Sequence, residues 1–85
     1  MAKVEIYTTN TRPFCRMAKQ LLEAKNVVFQ EIDVSGDAPG RQAMTERAAG
    51  RTSVPQIFID EAHIGGCDDL MAFDAQNKLD ALLAN

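Results

Sequence analysis

The residues that could carry chemistry lie in four short segments. These are Thr11-Arg12-Pro13-Phe14-Cys15, Ser53-Val54-Pro55, Gly65-Gly66-Cys67-Asp68-Asp69, and the charged pair Arg41 and Arg51. The first and third segments stand where helices are predicted to begin, and the free N–H groups of a helix N-terminus bind anions. A cysteine in such a position can be acidified and become a nucleophile. The pattern therefore indicates thiol chemistry or the binding of a small anionic ligand.

The two cysteines also have simpler interpretations, which stay open at this point. Cys15 can be a small side chain buried in the first turn of a helix. Cys67 can contribute its backbone to a binding site while its thiol has no role. A Cys15–Cys67 disulfide, or a metal site formed with His63, is a weaker alternative because no Cys-x-x-Cys spacing is present. We predict no metal site, and we expect His63 to lie on an edge strand in a structural role.

Length and composition restrict the class of protein. The chain has 85 residues, of which 46% are hydrophobic and 25% are charged, and this predicts a single globular domain over 1–85. Its net charge of −3 argues against nucleic acid as a partner. No apolar run has the length of a membrane span, and the segment 1–5 lacks the apolar core of a signal peptide. We therefore expect a cytoplasmic protein without a membrane partner, in which cysteines stay reduced.

Strand and helix patterns alternate around these segments. A β-rich run over 3–8 is followed by polar residues, and helical spacing then extends over 13–25 with Pro13 at the first turn. Residues 27–33 have the pattern of a second strand. Because a full helix separates the two strands, they are expected to pair in parallel through a right-handed crossover.

The second half of the chain continues the alternation. It predicts a helix over 39–49 capped by Gly50, a strand at 57–59 buried on both faces, a turn at 60–62, a strand at 63–66, and a helical region from Cys67 with a break near Gln76-Asn77. The order β-α-β-α-β-β-α predicts an α/β fold with a four-stranded mixed sheet flanked by helices. This is the thioredoxin-like arrangement.

The sequence closely resembles the bacterial glutaredoxins over essentially its whole length. The residues that carry the resemblance are Val4-Glu5-Ile6-Tyr7-Thr8, Pro13-Phe14-Cys15, Ser53-Val54-Pro55-Gln56-Ile57-Phe58-Ile59 and His63-Ile64-Gly65-Gly66-Cys67-Asp68-Asp69-Leu70. The resemblance implies a glutathione-dependent thiol–disulfide oxidoreductase that reduces disulfides and glutathionylated proteins. Such enzymes have a Cys-Pro-Tyr/Phe-Cys active site and use glutathione as co-substrate.

The resemblance also implies where glutathione binds. The backbone of Val54 would pair with the cysteinyl part of glutathione like an added strand, and Pro55 would be cis. Phe14 would line the rim of the site. Arg41 or Gln42 would reach the glycine carboxylate, which is the position where the family varies most.

The γ-glutamyl end of glutathione would bind at the third segment. By the resemblance, the N–H groups of Cys67 and Asp68, which follow Gly66, would hold its carboxylate at a helix N-terminus. The carboxylate of Asp68 would receive its ammonium group. The side chain of Cys67 has no part in this arrangement.

The sequence departs from the family pattern at the nucleophile. Arg12 occupies the position of the first cysteine, and only Cys15, at the resolving position, remains. A protonated guanidinium offers no lone pair and cannot attack a disulfide. We therefore expect the chain to be inactive or severely impaired, and we expect no iron–sulfur cluster of the kind that some relatives bridge through the first cysteine. Thr9 stands where the family often has a lysine that helps to bind glutathione.

Three interpretations of Arg12 are open. It is an engineered or acquired substitution, a natural change in a redox-inactive relative where Arg12 helps to bind an anion, or neutral drift. We favour the first, because a cation at a helix N-terminus opposes the helix dipole while most of the site is preserved. The alternative function is a redox-inactive glutathione-binding module or a scaffold. We expect a monomer.

Overall fold

Strands and helices alternate along the computed structural model, which describes residues 2–10 and 12–84. Its elements are β1 (Val4–Thr8), α1 (Pro13–Ala24), β2 (Gln30–Asp33), α2 (Ala38–Arg47), β3 (Gln56–Ile59), β4 (Ala62–Gly65), α3 (Cys67–Ala75) and α4 (Leu79–Leu83). The predicted order is confirmed, and the predicted break separates α3 from α4. Within the described ranges, no helix is long and apolar enough to cross a membrane.

The four strands form one mixed sheet in the order β2-β1-β3-β4. β1 is parallel to β2, as the helix between them requires, and it is antiparallel to β3, where Ile6 lies opposite Ile57. β3 and β4 form an antiparallel hairpin. The sheet and its helices confirm the predicted thioredoxin-like fold.

Helices cover both faces of the sheet, and every residue of its central strands β1 and β3 is buried. Alternate residues of β1 and β3 form two separate clusters. One cluster joins Val4, Ile6, Ile57 and Ile59 to Ala18 and Leu22 of α1, Leu70 of α3 and Leu79 of α4. The other joins Tyr7 and Phe58 to Val34, Met44 and Ala48 on the α2 side. The prediction that the strand at 57–59 is buried on both faces is thus confirmed.

The second strand is shorter than predicted. Residues 27–33 have a strand pattern, but β2 begins only at Gln30, opposite Glu5. The residues before β2 form the turn that ends α1. Asn26 has φ +58°, and the N–H of Val27 donates to the carbonyl of Leu22 at 3.1 Å. Val28 is 77% exposed, so its β-branched side chain does not indicate a paired strand.

The observed end of α2 and the observed start of β4 differ from the predicted positions, and backbone geometry explains both differences. The helix predicted over 39–49 ends at Arg47, since Ala49 and Gly50 have φ +56° and +92° and leave the helix together. The hairpin turn contains only Asp60 and Glu61, both with positive φ, which is the geometry of a two-residue turn. Ala62, predicted in the turn, is the first residue of β4. The other boundaries differ by one residue.

An ion pair crosses the α2 face of the sheet. Arg47 Nη2 donates to Glu5 Oε1 at 2.7 Å, and its guanidinium carbon lies 4.0 Å from the centre of the Phe58 ring. The hydrogen bond from Arg47 lowers the pKa of Glu5, although burial of the carboxylate opposes this. The pair thus fixes α2 on the sheet beside its apolar contacts.

Candidate functional site: a groove at the start of two helices

A groove of about 230 Å³ opens where β3 begins and where α1 and α3 begin. Residues from all four segments that the sequence singles out meet here, although Arg51 is the only member of the charged pair in the lining. The groove is lined by Phe14, Arg51, Ser53, Val54, Pro55, Gly66, Cys67 and Asp68. At this edge of an α/β fold, the free backbone groups of helix N-termini and strand ends lie close together, and these groups bind small ligands.

One wall of the groove is the segment that enters β3. Val54 is half-buried and Pro55 is buried, and the peptide bond between them is cis. The fully buried amide of Gln56 holds this segment: its Nε2 donates to the carbonyl of Ser53 at 3.0 Å. Its Oε1 lies 2.7 Å from His63 Nε2 on the edge strand, and since the amide oxygen only accepts, the imidazole donates. Every polar atom of this buried amide is thus paired.

The opposite wall is the first turn of α3. Gly66 is the N-cap residue, and its N–H donates to Asp69 Oδ2 at 2.9 Å. The N–H groups of Cys67 and Asp68 stand at the first positions of the helix, where no carbonyl of the helix can accept from them. Asp68 is exposed. The wall therefore offers donors to an anion and, one residue away, a carboxylate to a cation.

The third side of the groove is the start of α1. Arg12 is the exposed N-cap residue of this helix and its side chain makes no capping hydrogen bond, while its carbonyl accepts from the N–H of Cys15 at 3.1 Å. Phe14 is 56% exposed although it is large and apolar, and it lies on the groove. Thr11, which opens the first segment of the sequence, lies outside the described residues.

Both thiols are free and buried. Cys15 is 2% exposed and Cys67 is 5% exposed. Burial raises the pKa of Cys67, and the nearby Asp68 and Cys15 raise it further. Position at a helix N-terminus therefore does not make Cys67 a thiolate at neutral pH. Its burial supports the interpretation that its backbone, and not its sulfur, belongs to the groove.

Six of the eight residues predicted to bind glutathione line the groove, and two do not. Arg41 turns to the loop before β3, where Nη2 donates to the carbonyl of Thr52 at 2.9 Å and Nε donates to the same oxygen at 3.2 Å. Gln42, one residue later on α2, is exposed and is not part of the groove lining. A contact of either side chain with a glycine carboxylate stays a prediction.

Two lining residues belong to the candidate segments but were not predicted to bind glutathione. Ser53 precedes Val54, and Arg51 lies at the other end of the same loop. Arg51 was noticeable in the sequence only as a cation near the end of the second helix. Its Nη1 donates to Asp69 Oδ2 at 2.9 Å, a contact between residues far apart in the chain that no local pattern reveals.

The described ranges 2–10 and 12–84 contain no group of three or more His, Cys, Asp or Glu side chains placed to hold a metal ion. Asp69, beside the groove, instead accepts from the backbone N–H of Gly66 and from Arg51. The hydrogen bond from Gly66 lowers the pKa of Asp69, and Arg51 lowers it further. Asp69 is thus ionised at neutral pH and holds the first turn of α3.

Comparison with known proteins gives consistent matches. The glutaredoxin family model matches residues 4–64. The chain is similar to glutaredoxin 3 of Escherichia coli (strain K12), with 59% identity over 83 residues, which are 98% of this chain and 99% of that protein. Among solved structures, it is similar to the solution structure of glutaredoxin from Brucella melitensis, with a TM-score of 0.84, 49% identity, and coverage of 95% of this chain and 87% of that one. The crystal structure of a buckwheat glutaredoxin–glutathione complex has a TM-score of 0.89 and 26% identity, and the match covers 98% of this chain and 77% of that one.

Proposed function

This chain belongs to the glutaredoxin family of thiol–disulfide oxidoreductases, and we propose that it keeps the family's glutathione groove but lacks the family's nucleophile. It binds glutathione between β3 and α3. Glutathione-dependent reduction of disulfides and of glutathionylated proteins is abolished or severely impaired, because Arg12 occupies the place of the attacking cysteine.

The observation that carries the proposal is the meeting of three separate segments in one groove. Val54 and Pro55 face Gly66, Cys67 and Asp68 across it, although at least ten residues separate the two groups in the chain. Each wall offers what one part of glutathione needs. The strand wall offers a backbone edge for the peptide, and the helix wall offers N–H donors for a carboxylate. The crystal structure of the related buckwheat glutaredoxin is a complex with glutathione, which supports the choice of ligand.

We propose an orientation for glutathione in the groove, and the family resemblance supports it. Its cysteinyl residue pairs with the backbone of Val54 beside Pro55. The γ-glutamyl carboxylate accepts from the N–H groups of Cys67 and Asp68, and its ammonium group donates to the exposed carboxylate of Asp68. Phe14 covers the sulfur end of the ligand, where its exposed ring loses contact with water on binding.

Among the described residues that line the groove, none offers an accessible group that can attack a disulfide. In a glutaredoxin, the first thiolate attacks the glutathionyl sulfur of the mixed disulfide, the thiolate of the substrate leaves, and the glutathionyl group stays on the enzyme as a new mixed disulfide. Arg12 cannot attack, Cys15 is 2% exposed, and burial raises the pKa of the Cys67 thiol. Because loss of a covalent nucleophile removes the covalent route itself, we expect turnover to fall by several orders of magnitude.

Titration of the ¹⁵N-labelled chain with reduced glutathione tests the binding part of the proposal. We expect saturable shifts of the Cys67 and Asp68 amide signals at millimolar ligand, and the same shifts with S-methylglutathione, which has no thiol. Asp68→Asn should weaken binding about fivefold to tenfold, because one charge-assisted contact is lost at an exposed site. Asp74→Asn is the matched control: it removes a charge from the same helix where Asp74 pairs with Lys25 at 2.7 Å, outside the groove lining.

An unchanged spectrum at millimolar glutathione would contradict the proposal. So would equal weakening by Asp68→Asn and Asp74→Asn, because binding would then depend on total charge and not on the groove.

The second candidate is a redox-inactive glutathione-binding module or a scaffold. It is favoured by the burial of both thiols, whereas Arg12 is exposed at the start of α1. In this case Arg12 contributes to the binding of an anion, and Arg12→Ala weakens glutathione binding. If Arg12 is only a lost nucleophile, Arg12→Ala leaves the dissociation constant unchanged. A scaffold that pairs through the edge strands β2 and β4 would sediment as a dimer, whereas we propose a monomer.

A further inference from the structure

We propose that Arg51 is a positioning residue of the groove: through Asp69, it fixes the first turn of α3 relative to the loop that carries Val54. This inference rests on the proposed function, because it concerns the same groove. It assigns a role to a side chain that no local motif marks.

One carboxylate oxygen joins the two walls of the groove. Asp69 Oδ2 accepts from Arg51 Nη1 at 2.9 Å and from the N–H of Gly66, also at 2.9 Å. The first donor comes from the loop before β3, and the second belongs to the N-cap of α3. A displacement of Arg51 would therefore move the carboxylate of Asp69, which accepts from the N–H of the N-cap residue Gly66.

The guanidinium also packs directly against the backbone of the helix wall. A Cβ atom added to Gly66 would lie 3.4 Å from Arg51 Nη2 and 3.4 Å from the carbonyl oxygen of Pro55. Gly66 thus lies between the arginine and the strand wall, and an added Cβ would be in van der Waals contact with both. These three residues lie close together beside the N–H groups of Cys67 and Asp68.

The loop that carries Arg51 is itself anchored. The backbone N–H of Arg51 donates to the carbonyl of Ala48 at 3.2 Å, and Arg41 binds the carbonyl of the next residue, Thr52. Gln56 then holds the carbonyl of Ser53. The loop is fixed to α2 and to β3. The hydrogen bond from Arg51 to Asp69 therefore holds the first turn of α3 in a fixed position relative to both.

The pair is placed to act on geometry more than on stability. The side chains of Arg51 and Asp69 are 46% and 43% exposed, and half-exposed ion pairs contribute little to the free energy of unfolding. Loss of the pair should therefore leave the protein folded and alter the groove. A direct contact of Arg51 with a carboxylate of glutathione is the competing role, and the two roles predict different results.

The test compares dissociation constants for reduced glutathione, measured by NMR titration, among Arg51→Met, Arg51→Lys, Asp69→Asn and the double variant Arg51→Met/Asp69→Asn. Arg16→Met is the matched control, because Arg16 is an exposed arginine outside the groove lining. We expect Arg51→Met and Asp69→Asn each to weaken binding about threefold to fivefold. This corresponds to the upper range of the free energy that a half-exposed ion pair contributes. The double variant should be no weaker than either single variant, since both remove the same contact. Arg51→Lys should bind within about twofold of the parent, and Arg16→Met should bind like the parent.

Two further readouts separate positioning from direct binding. The weakening by Arg51→Met should be the same for glutathione and for its glycyl ethyl ester, which lacks the glycine carboxylate. Hydrogen exchange of the Gly66 amide should be faster in Arg51→Met than in the parent, because the acceptor of this N–H is no longer held in place. The melting temperature should fall by less than about 5 °C.

The proposal is overturned if Arg51→Met binds glutathione like the parent, if the two single effects multiply in the double variant, or if the effect of Arg51→Met disappears with the ester. If the parent does not bind glutathione, the proposed function fails, and exchange of the Gly66 amide decides the role of Arg51. Faster exchange in Arg51→Met then supports positioning, and an unchanged rate overturns it.

Discussion

Replacement of Gly65 by alanine tests the packing of the turn that leads into α3. Gly65 has φ +122°, a backbone conformation that side chains disfavour strongly, and an added Cβ would overlap Oδ2 of Asp69 and lie 2.9 Å from its Cβ. The variant therefore strains the backbone and displaces the carboxylate that caps α3. The strain costs about 1–3 kcal/mol and the lost cap about 0.5–2 kcal/mol, so we expect the free energy of unfolding to fall by about 2–4 kcal/mol.

The assay is urea unfolding followed by circular dichroism, with a thermal melt in parallel. For a domain of this size, the expected loss lowers the melting temperature by about 10–25 °C. Gly36→Ala is the matched control, since Gly36 has φ +64° but no heavy atom within 4 Å of an added Cβ. Its free energy of unfolding should fall only by the cost of the backbone strain, about 1–2 kcal/mol. Equal losses for Gly65→Ala and Gly36→Ala would refute the overlap with Asp69 as a cause.

Three further predictions concern the core, the ion pair and the thiols. Leu22→Ala should lower the free energy of unfolding by about 2–5 kcal/mol in urea titrations, whereas Val28→Ala should change it by less than about 0.5 kcal/mol, because Leu22 is fully buried and Val28 is 77% exposed. Glu5→Gln should cost about 1–2 kcal/mol at pH 7, because Arg47 loses its best partner. Since the folded-state pKa of Glu5 is lowered, its stabilisation is present above the ordinary pKa and is lost as the pH falls through the folded value, so urea titrations of parent and variant should converge in acid. Both thiols should react slowly with a thiol reagent in the folded protein and at once in denaturant; rapid labelling of the folded protein would contradict their burial.

The order of the elements follows from patterns that act within a few residues. Polar turns, proline at the start of α1 and the apolar run of β3 each define one element, and their alternation leaves few arrangements of the sheet. The exception at Val27 and Val28 has a physical reason. Their β-branched side chains suit a strand, but the turn after α1 holds them before the sheet begins.

The groove could be predicted only in part. Val54, Pro55 and the start of α3 carry a family motif and also a local physical signal, the free N–H groups of a helix N-terminus. Arg51 carries neither, because its function depends on a contact with Asp69 across the fold. Two aspartates in the first turn of a helix complement the helix dipole, and the sequence alone does not distinguish their roles. The structure separates them: Asp69 caps the helix, and Asp68 remains exposed beside the groove.

The most direct test of the account is the rate of glutathione-dependent reduction of a small glutathione mixed disulfide, measured side by side for this chain and for Arg12→Cys. Arg16→Cys is the control, because it places a new thiol on the same helix one turn later. We expect activity for Arg12→Cys alone. Equal activity of the unsubstituted chain would show that Cys15 or Cys67 attacks the disulfide and would contradict the assignment of the nucleophile. No activity in any of the three proteins would contradict the claim that the rest of the site is intact.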